Sequence, residues 1–152
     1  MKFTCTKTNF NNGINIALKA VPGKTTMPIL ECVVIEAKGD MVKLTTNDMQ
    51  LGIETKIPAE IEQDGIILVN AKMISEIVRR LPDDDVNFEV DENNNILLFC
   101  GKSKFNIPGI PHDEFPMLPK IEADKTIHIS QFTLKEMIRQ TIFSISDNES
   151  NK

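Results

Sequence analysis

The chain has 152 residues, of which 41% are hydrophobic and 26% charged, the composition of a globular protein with enough apolar material for one good core. A net charge of −5 argues against a wholly basic nucleic-acid-binding surface, and the absence of Trp and Tyr removes the usual base-stacking side chains. The sequence contains neither a signal-peptide core nor an apolar run of membrane-spanning length, so we expect a cytoplasmic protein with no membrane partner.

The N-terminal part reads as a strand, a helix and three strands. Alternation predicts a strand over Lys2–Thr6, Thr8 or Asn9 offers an N-cap, and Pro22-Gly23 ends the helix. The apolar face of this helix comprises Phe10, Ile14, Leu18 and Val21. Three further strands are predicted over residues 30–37, 41–46 and 51–57.

The same order of elements then begins again. A buried strand is predicted over residues 66–69, Asn70 reads as a helix cap, and Pro82 ends the helix. The apolar face of this second helix comprises Met73, Ile77 and Leu81. Strands follow over residues 86–90, 96–100 and 103–107.

After a Pro-rich connector the pattern begins a third time. A strand is predicted over residues 126–129, and Thr133 to Glu136 reads as a capping box that opens a helix. Aligning the three copies gives offsets of 63 residues from Phe3 to Ile66 and 61 from Ile66 to Ile127. Repeated β-α-β-β-β units predict an α+β fold with two helices side by side on one face of the sheets.

Three cysteines, Cys5, Cys32 and Cys100, lie in apolar stretches and never at C-x-x-C spacing. We therefore expect buried free thiols and neither a disulfide framework nor a zinc site.

Basic residues follow the predicted helices and their flanking turns, whereas acidic residues concentrate in loops. The basic set is Lys7, Lys19, Lys24, Lys72, Arg79, Arg80, Lys135 and Arg139. One interpretation is a helix layer that faces a polyanion; the other is that Lys and Arg are simply good exposed helix formers.

No catalytic constellation is present in the sequence. His112-Asp113-Glu114 lies in the Pro-rich connector without a second His at ligand spacing, and we interpret it as a solvated linker. The run Asp83–Asp85 follows a helix-ending Leu-Pro and reads as a turn, not a two-metal site. His128 is interpreted as a half-exposed strand residue. We expect no enzymatic activity, no cofactor and no metal.

A set of short motifs resembles the bacterial beta clamp family. They are Met1 to Thr4, Thr26 to Leu30, Leu44 to Asp48, Asn70 to Lys72, Arg79 to Pro82, Gly101 to Phe105, Asp113 to Pro116 and Phe143-Ser144. Each motif is weak alone, but their order and spacing together are specific. The resemblance implies a DNA-clamp fold, with a complete first domain over residues 1–119 and the first strand and helix of a second over 120–152.

The resemblance also implies a function. Family members are non-catalytic processivity factors of chromosomal replication, in which two subunits close head to tail into a ring around duplex DNA. The implied partners are double-stranded DNA, a second subunit, the replicative polymerase and the clamp loader.

Site residues follow from the same resemblance. It implies DNA-facing roles for Lys24, Lys72 and Asn148, and the basic helix layer adds Arg79 and Lys135 as candidates. It places the first-domain side of the ring interface at Met73, Ile77, Leu81, Lys102, Lys104 and Phe105. Phe105 would be the apolar anchor and the two lysines would be rim charges. The alternative function is a non-enzymatic protein-binding adaptor that uses Phe105 and an open sheet edge.

Overall fold

The computed structural model describes residues 1–119 and 126–145. The chain divides into two compact units, Met1–Leu118 and Pro119–Lys152. Within the described ranges, no helix is long and apolar enough to cross a membrane.

The first unit contains nine strands and two α-helices, so the α+β prediction is confirmed. The strands are β1 (Lys2–Thr6), β2 (Cys32–Lys38), β3 (Met41–Asn47), β4 (Gly52–Pro58), β5 (Glu60–Gln63), β6 (Gly65–Asn70), β7 (Asp85–Val90), β8 (Asn95–Cys100) and β9 (Ser103–Pro108). The helices are α1 (Lys7–Ala17) and α2 (Ala71–Arg80), with short 3₁₀ turns at Leu18–Ala20 and Pro28–Glu31.

The strands form two antiparallel sheets that are built from both repeats. The five-stranded sheet has the order β5-β1-β7-β8-β9 and the four-stranded sheet the order β4-β3-β2-β6. Strand β1 of the first repeat pairs with β7 of the second, with Phe3 opposite Phe88. Strand β6 of the second repeat pairs with β2 of the first, with Ile67 opposite Ile35. The two repeats thus exchange their first strands.

One core lies between the sheets and the helices. Phe3 stacks on Phe88 with ring centroids 4.8 Å apart, and Phe10 from α1 meets both rings edge-on at 6.1 Å. Helix α1 packs on β3 and β4, α2 packs on β6 and β2, and the helices contact each other. Gly13 permits this close approach, because a Cβ atom there would lie 2.8 Å from Ile57 Cγ2.

The helix caps differ from the prediction at α1. Thr6 is the N-cap, with its Oγ1 accepting a hydrogen bond from Asn9 N at 3.3 Å, so neither Thr8 nor Asn9 has this role. In α2 the predicted cap is correct, since Asn70 Oδ1 accepts from Met73 N at 3.0 Å.

The register of the repeat was predicted one residue off. Aligning the N-caps Thr6, Asn70 and Ser130 gives offsets of 64 and 60 residues. The equivalent of Phe10 is therefore Ile74, not Met73. The buried face of α2 consists of Ala71, Ile74 and Val78. The predicted face was wrong at Met73, which is 44% exposed, whereas Leu81 is buried and Ile77 packs against the core. Adjacent apolar pairs along α2 fit the helical period equally well in two registers.

One strand boundary also differs from the prediction, and one strand was not predicted. The segment predicted as a strand from residue 30 begins with the 3₁₀ turn Pro28–Glu31, and β2 starts at Cys32. Strand β5 was not predicted, because Ile61 is its one apolar residue. It lies at a sheet edge, where a short charged strand resists pairing with other chains.

The connector, residues 109–118, lies on the outer face of the four-stranded sheet. Ile110 exchanges two backbone hydrogen bonds with Leu68, at 2.9 and 3.0 Å, and so occupies the free edge of β6. Phe115 is buried against Cys32, Val34 and Leu68.

The described part of the second unit contains α3 (Gln131–Thr141) and a 3₁₀ turn, Ile142–Ser144. The helix begins three residues earlier than the predicted capping box, because Ser130 is its N-cap and accepts from Thr133 N at 3.0 Å. Residues 126–130 form no strand with any described residue. A strand requires a hydrogen-bonded neighbour, which the described residues do not provide here, so the strand over 126–129 stays a prediction.

All three cysteines are buried free thiols, as predicted. Burial raises the pKa of the Cys5 thiol to about 12, with a further contribution from the charge of Asp85.

Two adjacent threonines in β3 provide a test of this packing. Thr46 Oγ1 donates to the carbonyl of Ala17 at the end of α1, at 2.6 Å, whereas Thr45 Oγ1 is buried without a described partner. We expect Thr46→Val to lower the free energy of unfolding by about 1 kcal/mol, because it removes a buried hydrogen bond to the Ala17 carbonyl. Thr45→Val should be neutral or stabilising. Urea unfolding of both variants measures the difference, and equal losses would contradict the assignment.

Candidate nucleic-acid interface

Helix α1 exposes a surface without carboxylates. Its exposed positions include Thr8, Asn12, Asn15 and Ile16, and its sequence contains no acidic residue. Lys19 lies exposed in the 3₁₀ turn that follows the helix, and Lys24 is exposed in the next loop. The helix itself and the turns that follow it therefore offer amide groups and cations but no carboxylate of their own.

Helix α2 is more strongly amphipathic. Lys72 is exposed in its first turn and Arg79 and Arg80 in its last, and Glu76 is its one carboxylate. Arginines at a helix C-terminus stabilise the helix dipole, but a lysine in the first turn opposes it. The first turns of α1 and α2 begin with Lys7 and Ala71-Lys72 and contain no acidic residue. The N-terminus of α2 thus keeps a positive potential that an acidic residue in its first turn would neutralise.

Two lysines on the sheets, Lys2 and Lys43, are paired with carboxylates. Lys2 Nζ lies 2.9 Å from Glu62 and 3.2 Å from Glu89, and the hydrogen bond with Glu62 is the main cause that raises the pKa of Lys2. Lys43 Nζ lies 2.6 Å from Glu36 and 3.7 Å from Glu54. Its hydrogen bond with Glu36 likewise raises the pKa of Lys43.

The cations of the helix layer lack such partners. The helix layer is defined here as α1, α2 and their flanking turns. Its cations are Lys7, Lys19, Lys24, Lys72, Arg79 and Arg80, and none lies within 4 Å of a carboxylate oxygen in the described ranges. Six cations of the helix layer are therefore unpaired within the described ranges, although the net charge of the chain is negative. On the strands, Lys2 and Lys43 are paired, whereas Lys38, Lys56 and Lys104 have no carboxylate oxygen within 4 Å in the same ranges.

One acidic cluster reaches this layer. Asp83 lies after α2, and Thr8 Oγ1 is 3.5 Å from its Oδ1. Asp84 O accepts from Lys7 N at 3.2 Å, so the aspartate run follows the end of α2 back to the start of α1. The prediction that acidic residues lie away from the helices is wrong at this corner. Within the described ranges no group of three His, Cys, Asp or Glu side chains could hold a metal ion.

The predicted DNA-facing residues lie in both units. Lys24, Lys72 and Arg79 are exposed in the first unit. Lys72 and Arg79 lie on the same helix, α2. Lys135 is exposed on α3 of the second unit. Asn148 lies outside the described residues.

The predicted interface residues lie at the β9 edge and on α2. Lys102 and Lys104 are exposed, and Lys104 Nζ lies 5.1 Å from the ring centroid of Phe99. Phe105 is half-buried and packs against the core. On α2, Met73 is 44% exposed and Ile77 half-buried. Leu81 is only 5% exposed, so it is mainly a core residue with little surface for a partner.

Comparisons with known proteins identify the family of the chain. The family model for the DNA polymerase III beta subunit, N-terminal domain, matches residues 1–119. The chain belongs to the DNA polymerase III beta subunit family. The beta sliding clamp of Bacillus subtilis is 40% identical over 157 aligned residues, which cover 98% of this chain and 42% of that protein. The chain thus spans about two fifths of the length of this curated relative.

Solved structures of clamps share the fold. A crystal structure assigned as a DNA polymerase III beta subunit from Eubacterium rectale matches with a TM-score of 0.93 and 54% identity, over 100% of this chain and 41% of that one. The sliding clamp from Bacillus subtilis matches with a TM-score of 0.93 and 39% identity, over 99% and 42% of the two chains.

The charge distribution predicts opposite effects for the same substitution at two sites. Lys72→Glu should stabilise the clamp domain by about 0.3–1 kcal/mol, because a carboxylate in the first turn of α2 favours the helix dipole. Lys43→Glu should destabilise it by about 1 kcal/mol, because it places a third carboxylate beside Glu36 and Glu54. Urea unfolding at low salt measures the free energy of unfolding of both variants. If both substitutions changed it in the same direction, the assignment of Lys43 as paired and Lys72 as unpaired would be wrong.

Proposed function

We propose that the chain supplies the first domain, residues 1–119, and the start of the second, residues 120–152, of a sliding clamp in bacterial chromosomal replication. In the whole protein, two such subunits close head to tail around duplex DNA and tether the polymerase. The family match over residues 1–119 carries this proposal. The unpaired cations of the helix layer support it, because that layer would face the DNA.

DNA contact in this proposal is made through phosphates. Lys24, Lys72 and Arg79 would approach the backbone, and Lys135 and Asn148 would extend the contact from the second domain. Such contacts carry no sequence information, which suits a protein that slides. Each contact can be weak, because release from a closed ring requires the ring to open. The lysine in the first turn of α2, which reduces helix stability, is understandable if it serves binding.

Ring closure would use the β9 edge. Strand β9 ends the five-stranded sheet, so its outward backbone groups are free to pair with another chain in the described structure. Half-buried Phe105 with Met73 and Ile77 would supply apolar surface, and Lys102 and Lys104 would be rim charges. Leu81 would support this surface from the core.

The proposed role involves no chemistry by the chain itself. Processivity comes from topology, so the clamp is a non-catalytic, cytoplasmic subunit without a cofactor. Its partners would be duplex DNA, a second subunit, the clamp loader and the replicative polymerase. The adaptor alternative shares the β9 edge, but gives no role to the unpaired cations of the helix layer.

A chimera tests the proposal. Residues 1–119 would replace the first domain of the Bacillus subtilis clamp, and the product would be loaded on nicked circular DNA by the loader of that species. We expect the chimera to stay on the circle and to leave once the DNA is linearised. The triple variant Lys24→Glu, Lys72→Glu, Arg79→Glu should reduce loading by about tenfold or more. Lys38→Glu, the same charge change at the exposed end of β2, is the control.

Two results would contradict the proposal. One is a well-folded chimera that dissociates from circles and linear DNA at the same rate. The other is a triple variant that reduces loading, per reversed charge, no more than Lys38→Glu does. A chimera that binds polymerase but never encircles DNA would favour the adaptor function.

A further inference from the structure

The connector is fastened to the first unit at several points before it continues toward the second. Ile110 pairs with Leu68 at the edge of β6, and Phe115 is 4% exposed in the apolar cluster on the outer sheet face. Pro111, Pro116 and Pro119 restrict the backbone between these points and the end of the unit. The position of Pro116 therefore strongly influences where the chain leaves the first unit.

Asn47 is the residue that holds Pro116. It is the last residue of β3 and only 9% exposed. Its Nδ2 donates to Pro116 O at 2.8 Å, and its Oδ1 accepts from Met49 N at 2.8 Å. Both ends of one amide are thus used, one for the connector and one for the β3–β4 turn.

The turn beneath the connector is held firmly. Met49 has a φ of 75°, a left-handed conformation that is uncommon for a residue other than glycine. Asp48 Oδ1 accepts from Gln50 N at 2.9 Å and from Leu51 N at 2.6 Å, which fixes the rest of the turn. Because these hydrogen bonds fix the turn, the Asn47 side chain is held in the position from which it donates to Pro116 O.

A glycine provides a second point of attachment. A Cβ atom on Gly52 would lie 2.0 Å from Leu118 Cδ2 and 3.0 Å from Leu118 Cδ1. The side chain of Leu118 therefore occupies the space that a side chain at residue 52 would take. Asn47 and Gly52 flank the same turn, so both hold the last residues of the connector.

We propose that Asn47 is a positioning residue, which with Gly52 fixes the exit of the chain from the first domain and so restricts the placement of the next domain. This inference rests on the proposed function, in which a ring requires consecutive domains at a defined angle. A connector free to swivel would lower the fraction of molecules competent to close, and closure would weaken in proportion.

Single-atom changes separate the two roles of Asn47. Asn47→Asp keeps the oxygen that accepts from Met49 N but replaces the donor to Pro116 O with a second oxygen. Asp48→Asn is the matched control in the same turn, because it keeps the acceptor for Gln50 N and Leu51 N and touches no connector group. Gly52→Ala leaves Asn47 intact and displaces Leu118 instead.

Spin labels on the 152-residue chain test the proposal. The three native cysteines are buried, so labels would be attached at Lys38→Cys on the sheet and Met117→Cys on the connector, both exposed positions. We expect a narrow distance distribution in the parent and in Asp48→Asn, and a distribution at least twice as wide in Asn47→Asp and in Gly52→Ala. The urea midpoint of the first unit should change little in the three variants.

The outcomes are distinct. A wider distance distribution in Asn47→Asp, with an unchanged urea midpoint, supports the positioning role. If Asn47→Asp unfolds the unit, Gly52→Ala decides, since its backbone is compatible with alanine. Unchanged widths in the folded variants overturn the proposal. In the chimera, Asn47→Asp should shorten residence on circular DNA although the helix layer is intact. Failure of the parent chimera would refute the clamp function while leaving the label result interpretable.

Discussion

The exchange of first strands between the two repeats is the constraint on which the first unit depends. β1 belongs to the first repeat in sequence but completes the sheet of the second, and β6 does the converse. Neither repeat can bury its helix on a complete sheet without the other. The stacked pair Phe3 and Phe88 comes from different repeats, so the centre of the core has the same dependence.

This arrangement also separates the sheet edges, the helices and the connector of the first unit. The exchange leaves the last strand of each repeat, β4 and β9, at a sheet edge. The β6 edge is occupied by Ile110, and the β5 edge is short and acidic. The helices lie on the opposite side of the core from the connector. The basic helix layer and the path of the connector therefore lie on separate parts of the first unit.

The sequence predicted these elements better than their register. Eight strands and both helices of the first unit were expected near their observed positions, because their apolar periodicity is strong and Gly, Pro and Asn mark their ends. Strand β6 reads Ile-Ile-Leu-Val, and its residues are buried on both faces, so no alternation reveals which residue points inward. The one-residue error of the repeat arose there and passed into α2, where Met73 was assigned to the buried face in place of Ile74.

The candidate site was predictable in part. The basic residues of the helix layer were identified by position, but their lack of ion-pair partners depends on which carboxylates the fold brings near. Nothing in the sequence indicates that Lys43 is paired and Lys72 is not, yet only Lys43 lies beside two glutamates. The pairing of Asn47 with Pro116 joins residues 69 positions apart, and no local signal predicts it.

Native-state hydrogen exchange of the first unit tests the shared core most directly. Because each first strand is held in the other repeat's sheet, the most protected amides of β1, β2, β6 and β7 should exchange through one global opening. We predict the same free energy and the same denaturant dependence for all four strands. If the amides of one repeat opened at a lower free energy while the other repeat stayed protected, the repeats would be separable and the account would be wrong.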